Sequence, residues 1–236
     1  MKQIYSLVFF LTFVCSLNAI ATIYVGFSDP QSGEKALAVI TSGPITSDGT
    51  IISAQKNKGL IGWSGGGRVS AKADQAIFQM MSEGQKASAI ESKIEEMYPN
   101  QYYRLLFVTP EGEVGSLIPK NGCPELECGK KETSDFVIIG GGLEAQVLEK
   151  AFDEFQKIST QTEKSTACKM LEILSYISSV GGEKKQFTSG QIVIETSTST
   201  KLIRANSFKA FLSNSEKAIL QRLNSDLSDK GIYCLL

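Results

Sequence analysis

The 236-residue chain sets 24 lysines and arginines against 25 aspartates and glutamates. It has no basic block of the kind that tracks phosphates, which excludes nucleic acid as the expected partner. It contains no histidine, which removes the Ser-His-Asp triad, the Cys-His pair and every histidine-based metal site. A hydrolase built on this sequence needs another base: a carboxylate, a lysine, a carboxylate-bound metal, or the chain's own α-amine.

The first segment has the three parts of a secretory signal. Lys2 gives the positive start, residues 4–17 are apolar, and Ala19-Ile20-Ala21 puts small residues three and one before a cut. The apolar run is shorter than the about 20 residues a membrane span needs. Bulky residues at Thr12-Phe13-Val14 disfavour a lipoprotein cut before Cys15. Residues 1–21 therefore read as a cleavable signal peptide, and the expected location is secreted or periplasmic. Removing 21 of 236 residues leaves 215, enough for one domain with a full core. No second apolar run approaches spanning length, so no membrane span is expected after cleavage.

Cleavage after Ala21 would leave Thr22 with a hydroxyl nucleophile and a free α-amine on one residue. The amine's unperturbed pKa of about 8 suits it to accept a proton near neutrality.

Residues 22–28 alternate toward β, and Asp29-Pro30-Gln31-Ser32-Gly33 is turn chemistry. Residues 36–41 form a second apolar strand, so the two read as a hairpin that would fix the new terminus inside a sheet. Strands are expected at 50–54 and 59–63, then a flexible loop at Ser64-Gly65-Gly66-Gly67. The period then turns helical, giving helices over about 70–82 and 86–98. Strands at 102–109 and 113–118 flank the turn Pro110-Glu111-Gly112 and lead into a cysteine loop. Residues 136–139 read as a strand, and Gly140-Gly141-Gly142 as the opening of a helix with Leu143, Val147, Ala151, Phe155 and Ile158 on one face. Another helix over about 164–180 ends at Gly181-Gly182, and residues 191–195 read as a last strand. Residues 198–236 stand apart as a Ser/Thr-rich linker and a helical extension over about 213–228. Its apolar face, Ile219, Leu220, Leu223 and Leu227, favours packing over partner binding. The order of strands, helix pair, strands, helix pair and strand suits two packed sheets covered by helices.

Cys123, Cys128, Cys168 and Cys234 remain after cleavage. An exported chain permits disulfides. Cys123 and Cys128 flank a short loop and are the favoured pair, with a zinc site as runner-up that lacks two further ligands. The remaining pairings are open, and a monomer or a homo-oligomer is equally compatible.

The stretch Thr22-Ile-Tyr-Val-Gly-Phe-Ser-Asp29-Pro30-Gln-Ser-Gly33-Glu34 resembles the start of domain of unknown function 1028, classed as Ntn-hydrolase-like. Leu37-Ala38-Val39-Ile40-Thr41-Ser42 is similar to its next strand and serine, and Ser53-Ala54-Gln55 to its strand end. Phe107-Val108-Thr109-Pro110-Glu111-Gly112 is similar to its later hairpin, and Cys123 fits the cysteine after it. Gly181-Gly182-Glu183-Lys184-Lys185 with Ser189-Gly190 resembles its glycine-acid-basic stretch. The resemblance spans 22–195. The chain departs from the family at Trp63-Ser64-Gly65-Gly66-Gly67, and the family's Trp-Ala-Gly-His segment is not visible after Cys123.

The resemblance implies an α+β fold, the four-layer αββα sandwich of the Ntn-hydrolase type, over 22–197. It implies an amidohydrolase in which the Thr22 hydroxyl attacks and its α-amine is the base, acting on a small peptide or amide, with no cofactor and no metal. Strand position nominates Ser42 and Lys56 beside the nucleophile, the lysine to keep the amine unprotonated by charge repulsion. Gln55 would orient substrate or donate to an oxyanion. Glu183 and Ser189 match family positions and are expected to face substrate. The competing expectation is an inactive binding or structural module of the cell envelope on the same fold.

Overall fold

The structure is a computed structural model and describes residues 22–42, 52–64, 71–120, 128–181, 189–197, 199–206 and 215–235. Residues 1–21, expected to be a signal peptide, the glycines 65–67 expected to be a loop, Cys123 and Glu183 lie outside the described residues.

In chain order the strands are Thr22–Ser28 (β1), Lys35–Thr41 (β2), Ile52–Gln55 (β3), Gly59–Ser64 (β4), Arg104–Val108 (β5), Val114–Leu117 (β6), Gly129–Glu132 (β7), Phe136–Gly141 (β8), Ser189–Glu195 (β9) and Thr200–Asn206 (β10). The helices are Ala71–Ser82 (α1), Ala87–Met97 (α2), Val147–Ser159 (α3), Thr166–Ser179 (α4) and Ser215–Ser228 (α5). The fold is α+β with two antiparallel sheets: a six-stranded sheet ordered β10-β9-β2-β1-β8-β7 and a four-stranded sheet ordered β3-β4-β5-β6.

Strand alternation divides the core. In β1, Ile23, Val25 and Phe27 join residues of α3, α4 and α5 in one apolar cluster. Tyr24 points the other way and meets Leu37, Val39, Leu60, Leu106, Val108 and Val193, side chains from both sheets. Ile61, Leu105 and Phe107 turn from that layer toward α1 and α2. A strand with side-chain period two and a partner on each side must be apolar throughout, which is why β1 and β2 read as near-continuous apolar runs. Gly62 of β4 gives Tyr24 its room, since a Cβ there would lie 2.9 Å from the Tyr24 ring.

The β1–β2 turn is tied to the helical layer by a buried ion pair. The Asp29 N–H donates to the Glu34 carbonyl at 2.8 Å, and its Oδ1 accepts the Gln31 N–H at 3.0 Å. Its Oδ2 accepts Thr166 Oγ1 and Lys169 Nζ of α4, each at 3.0 Å. Lys169 also donates to the Ser159 carbonyl at 3.1 Å, and its ammonium lies 5.6 Å from the Phe27 ring centroid. Both side chains are sealed, Lys169 at 0% and Asp29 at 2% exposure. Burial alone pushes the Asp29 carboxyl up. The hydrogen bonds from Gln31, Lys169 and Thr166, with the Lys169 charge, outweigh it and hold the group below its ordinary value.

Residues 198–236 do not stand apart as expected. Residues 200–206 form β10, paired along its length with β9. Of the threonines that read as linker, Thr200 opens β10, while Thr196 lies in the connection from β9, its N–H donating to the Ser199 carbonyl at 2.8 Å. Ile219, Leu220, Leu223 and Leu227 of α5 lie in the same core cluster as β1. A Cys168–Cys234 disulfide, spanning 66 residues, staples the C-terminal segment to α4. Cys128 is also disulfide-bonded. Two further differences arise from chain punctuation. Gly140 and Gly141 finish β8, and α3 starts at Val147 after Gln146 in the left-handed region. The charged stretch Gly129–Glu132 is an edge strand whose two lysines point to opposite faces, Lys131 to Glu149 of α3 and Lys130 to Glu132 and the Ser116 carbonyl, and a charged edge discourages further pairing.

Lys169→Met leaves a buried carboxylate without its counter-ion, so we expect a loss of about 3–5 kcal/mol in urea unfolding. Because the Asp29 carboxyl is held down in the folded state, its contribution is complete above about pH 4 and disappears as pH falls through the lower folded value. Unfolding measured across that acid range should show a steeper fall for the parent chain than for Asp29→Asn. Cys234→Ser opens the 66-residue loop and should cost roughly 2–4 kcal/mol by the same measurement.

Candidate functional site

Antiparallel pairing fixes what stands beside Thr22. The turn closes Ser28 against Lys35, and from there the register runs to Thr22 against Thr41. On its other side Thr22 pairs with Gly141. Thr41 in turn pairs with Ser189. Gly129 pairs with Gly140, so Cys128, one residue earlier, continues the row past Gly141. Ser189, Thr41, Thr22, Gly141 and Cys128 therefore cross one end of the six-stranded sheet. Thr22 and Thr41 share a face with Tyr24 and Val39, the face turned toward the second sheet. Their hydroxyls meet at 2.9 Å. Thr22 is 4% exposed in the full-length chain.

The opposite sheet contributes Arg104, the first residue of β5 and on the same face as Leu106 and Val108. It is 2% exposed. Its Nη1 lies 1.5 Å from where a Cβ on Gly141 would be, so only glycine admits the guanidinium here. Nη1 donates to Cys128 Sγ at 3.5 Å and Nη2 to Tyr102 Oη at 3.4 Å. Cross-strand Cβ positions are about 5 Å apart, which puts the guanidinium at about that distance from the Thr22 side chain. Tyr24 lies one step deeper. Its phenol donates to the Trp63 carbonyl, and burial pushes its pKa far up while the Arg104 charge works against the rise.

The sequence-derived candidates separate into two groups. Thr22 and Ser189 are brought into one row, and Ser189 is buried at the start of β9. Ser42 follows β2 half-buried, but the hydroxyl on Thr22 belongs to Thr41, one residue earlier, because the register pairs 22 with 41. Gln55 and Lys56 are not beside Thr22. Both are exposed, Gln55 at the end of β3 and Lys56 in the turn that follows. The next residue, Asn57, donates its N–H to Glu195 Oε1 at 2.6 Å. Glu195 lies six residues along β9 from Ser189, about 20 Å by strand rise. The hairpin β3–β4 thus carries Gln55 and Lys56 to the opposite end of the sheets. Glu183 lies outside the described residues.

Thr41, Gly141 and Arg104 were missed. The length of the 29–34 turn carried the signal for Thr41, since closing Ser28 on Lys35 sets the pairing. Arg104 had a weaker signal, a charge at the head of the apolar run Leu105-Leu106-Phe107-Val108. Among the described residues, no group of three or more Asp, Glu or Cys residues is placed to hold a metal ion.

Gly141→Ala would force the far end of Arg104 to move. We expect a folded protein weakened by about 1–3 kcal/mol in urea unfolding, with the guanidinium displaced from the Thr22 end in a crystal structure.

No family model matches the sequence, and no curated protein matches it. Solved structures do. The fold is similar to the crystal structure of a Silicibacter pomeroyi protein described under domain of unknown function 1028, with a TM-score of 0.71 and 15% identity, over 88% of this chain and 86% of that one. The HslV protein of Trypanosoma brucei also matches, with a TM-score of 0.45 and 8% identity, over 74% of this chain and 99% of that one. The chain shares its fold with the structure described under domain of unknown function 1028.

Proposed function

We propose that the protein is exported, loses residues 1–21, and acts as an amide hydrolase whose nucleophile is the Thr22 hydroxyl and whose base is the Thr22 α-amine. The observation that carries this reading is the place of Thr22. It heads a central strand, its hydroxyl lies on Thr41 Oγ1 at 2.9 Å, and its side chain faces the layer between the sheets. Helices on the outer face of each sheet, and an apolar layer between the sheets, support the four-layer αββα sandwich of the Ntn-hydrolase type. The Cys168–Cys234 disulfide and the bonded Cys128 suit an oxidising compartment and so support export.

The chemistry closes on one residue. In the uncut chain the Thr22 nitrogen is an amide whose lone pair is delocalised, and it cannot take a proton. Once free, the amine accepts the hydroxyl proton while Oγ1 bonds to the acyl carbon. The amide C–N bond breaks, the proton passes to the leaving nitrogen, and an ester remains on Thr22. Water then adds to that ester, its bond to Oγ1 breaks, and the acid leaves with the hydroxyl and amine restored. Thr41 Oγ1 holds the Thr22 side chain in one rotamer.

Mass spectrometry of the exported protein should find Thr22 first. Thr22→Ala should lower turnover of an acyl p-nitroanilide panel by about 10³-fold or more, and Thr22→Ser should retain it. One extra residue before Thr22 should abolish turnover with the fold unchanged. The kcat/KM should rise as pH approaches about 8, because the amine must be unprotonated to act. A terminus other than Thr22, or equal turnover from the extended chain, would sink the reading.

A further inference from the structure

We infer that Tyr24 is the specificity-determining residue of this site, and that its ring restricts the substrate to amides of short acyl groups: formyl, acetyl or propionyl. This rests on the reading of Thr22 as the reacting residue. Tyr24 stands two residues along β1 from Thr22 and on the same face, turned toward the second sheet. Stacked sheets lie about 10 Å apart, and Tyr24 crosses that gap. Its phenol donates to the Trp63 carbonyl of β4, and its ring lies against Gly62, 2.9 Å from where a Cβ would be. Val39 and Ile139 flank it on its own sheet, and Leu106 joins the same cluster from the other. At 1% exposure, Tyr24 fills the layer directly inward of Thr22. The far end of this bar is clamped. The Trp63 indole donates to Asp74 Oδ1 of α1, Ser53 donates to the other oxygen of that carboxylate, and the indole meets the Tyr103 ring edge-on with 5.5 Å between centroids. Swinging the ring aside for a ligand would break a buried hydrogen bond to a fixed partner.

The proposed chemistry sets which half of the substrate meets this wall. The α-amine takes the hydroxyl proton and hands it to the leaving nitrogen, so the leaving nitrogen stands beside the amine. After cleavage the amine is the first atom of β1, on the side of Thr22 away from Tyr24. The acyl substituent points the other way, toward the ring. Two residues of strand span about 6.6 Å. An acyl carbon in attack range takes about 3 Å of that, and the remainder is about one carbon–carbon contact. A hydrogen, methyl or ethyl substituent fits there, and a longer chain overlaps the ring. Tyr24 sets no such limit on the leaving amine, so its size discrimination falls on the acyl side. The substrate class is a short N-acyl amide, which water splits into a short-chain acid and a free amine.

The test uses the exported protein with acetyl and hexanoyl p-nitroanilides. In the parent, kcat/KM for the acetyl compound should exceed that for the hexanoyl compound by about 100-fold or more. Tyr24→Leu removes the ring and should cut that ratio about tenfold or more, whereas Tyr24→Phe keeps the ring and should keep the ratio. A parent ratio near one, a hexanoyl preference, or a ratio unchanged in folded Tyr24→Leu would each overturn the inference. The parent ratio needs no Tyr24 variant, so it decides even if Tyr24→Leu fails to fold. Calorimetry of Thr22→Ala with the same two compounds separates this inference from the hydrolase reading. If the parent hydrolyses nothing while Thr22→Ala binds the acetyl compound about tenfold or more tighter than the hexanoyl one, the hydrolase reading fails and the Tyr24 limit stands. Turnover of both compounds at similar rates removes the Tyr24 limit and leaves the hydrolase reading. Absence of both turnover and binding overturns the two together.

Discussion

The pairing of Thr22 with Thr41 follows from one closed turn. Asp29 accepts the Gln31 N–H on one oxygen and Thr166 and Lys169 on the other, so a single carboxylate shapes the β1–β2 turn and anchors it to α4. With the turn fixed, Ser28 must oppose Lys35, and each further pair follows to Thr22 and Thr41. A slip of one residue would turn every side chain of β1 to the other face and carry Thr22 from the inter-sheet layer into the helical layer. The cost of burying two charges is offset only because both carry several hydrogen bonds. The pair therefore acts less as a source of net stability than as a choice of register.

The layer between the sheets shows how position divides chemistry. Its middle is apolar, with Leu37, Val39, Leu106, Val108 and Val193. Its ends are polar. One holds Thr22, Thr41 and Ser189 with Arg104 above them. The other holds Lys35 and Glu195, where the Asn57 N–H reaches across. At Gly62 and Gly141 the sheets could not meet as they do if a side chain were present, and Gly26, where a Cβ would lie 3.2 Å from Leu106, is nearly as tight. Gly62 makes room for the Tyr24 ring and Gly141 for the Arg104 guanidinium. Small residues here decide which large ones can reach the site, a constraint that acts through packing rather than chemistry.

Much of the fold was legible in the sequence. The helices among the described residues have the 3.6-residue apolar period, and bounds such as Ala71–Ser82 and Ala87–Met97 fall close to the expected ones, while α3 starts later than its glycine-rich lead suggested. The two strands missed are those whose pattern is not apolar: β7 is charged because it lies at an edge, and β10 begins in a threonine-rich run that composition assigns to a linker. The expectation that Thr22 heads a strand inside a sheet was legible too, from the alternation of residues 22–28.

What the sequence by itself determined was the element order, the apolar faces and the candidate nucleophile. These are local properties, written in periodicity and residue type. The neighbours of Thr22 other than Thr41 were decided by tertiary structure alone. The hairpin turn relates residue 41 to Thr22, but strand order β9-β2-β1-β8-β7 adds residues 189, 141 and 128, which no spacing along the chain relates to them, and sheet packing adds Arg104. The same packing removes Lys56 and Gln55, whose hairpin runs away from the site toward Glu195. Proximity in a sheet depends on which strands pair and in what register, and that is settled by burial of both faces at once.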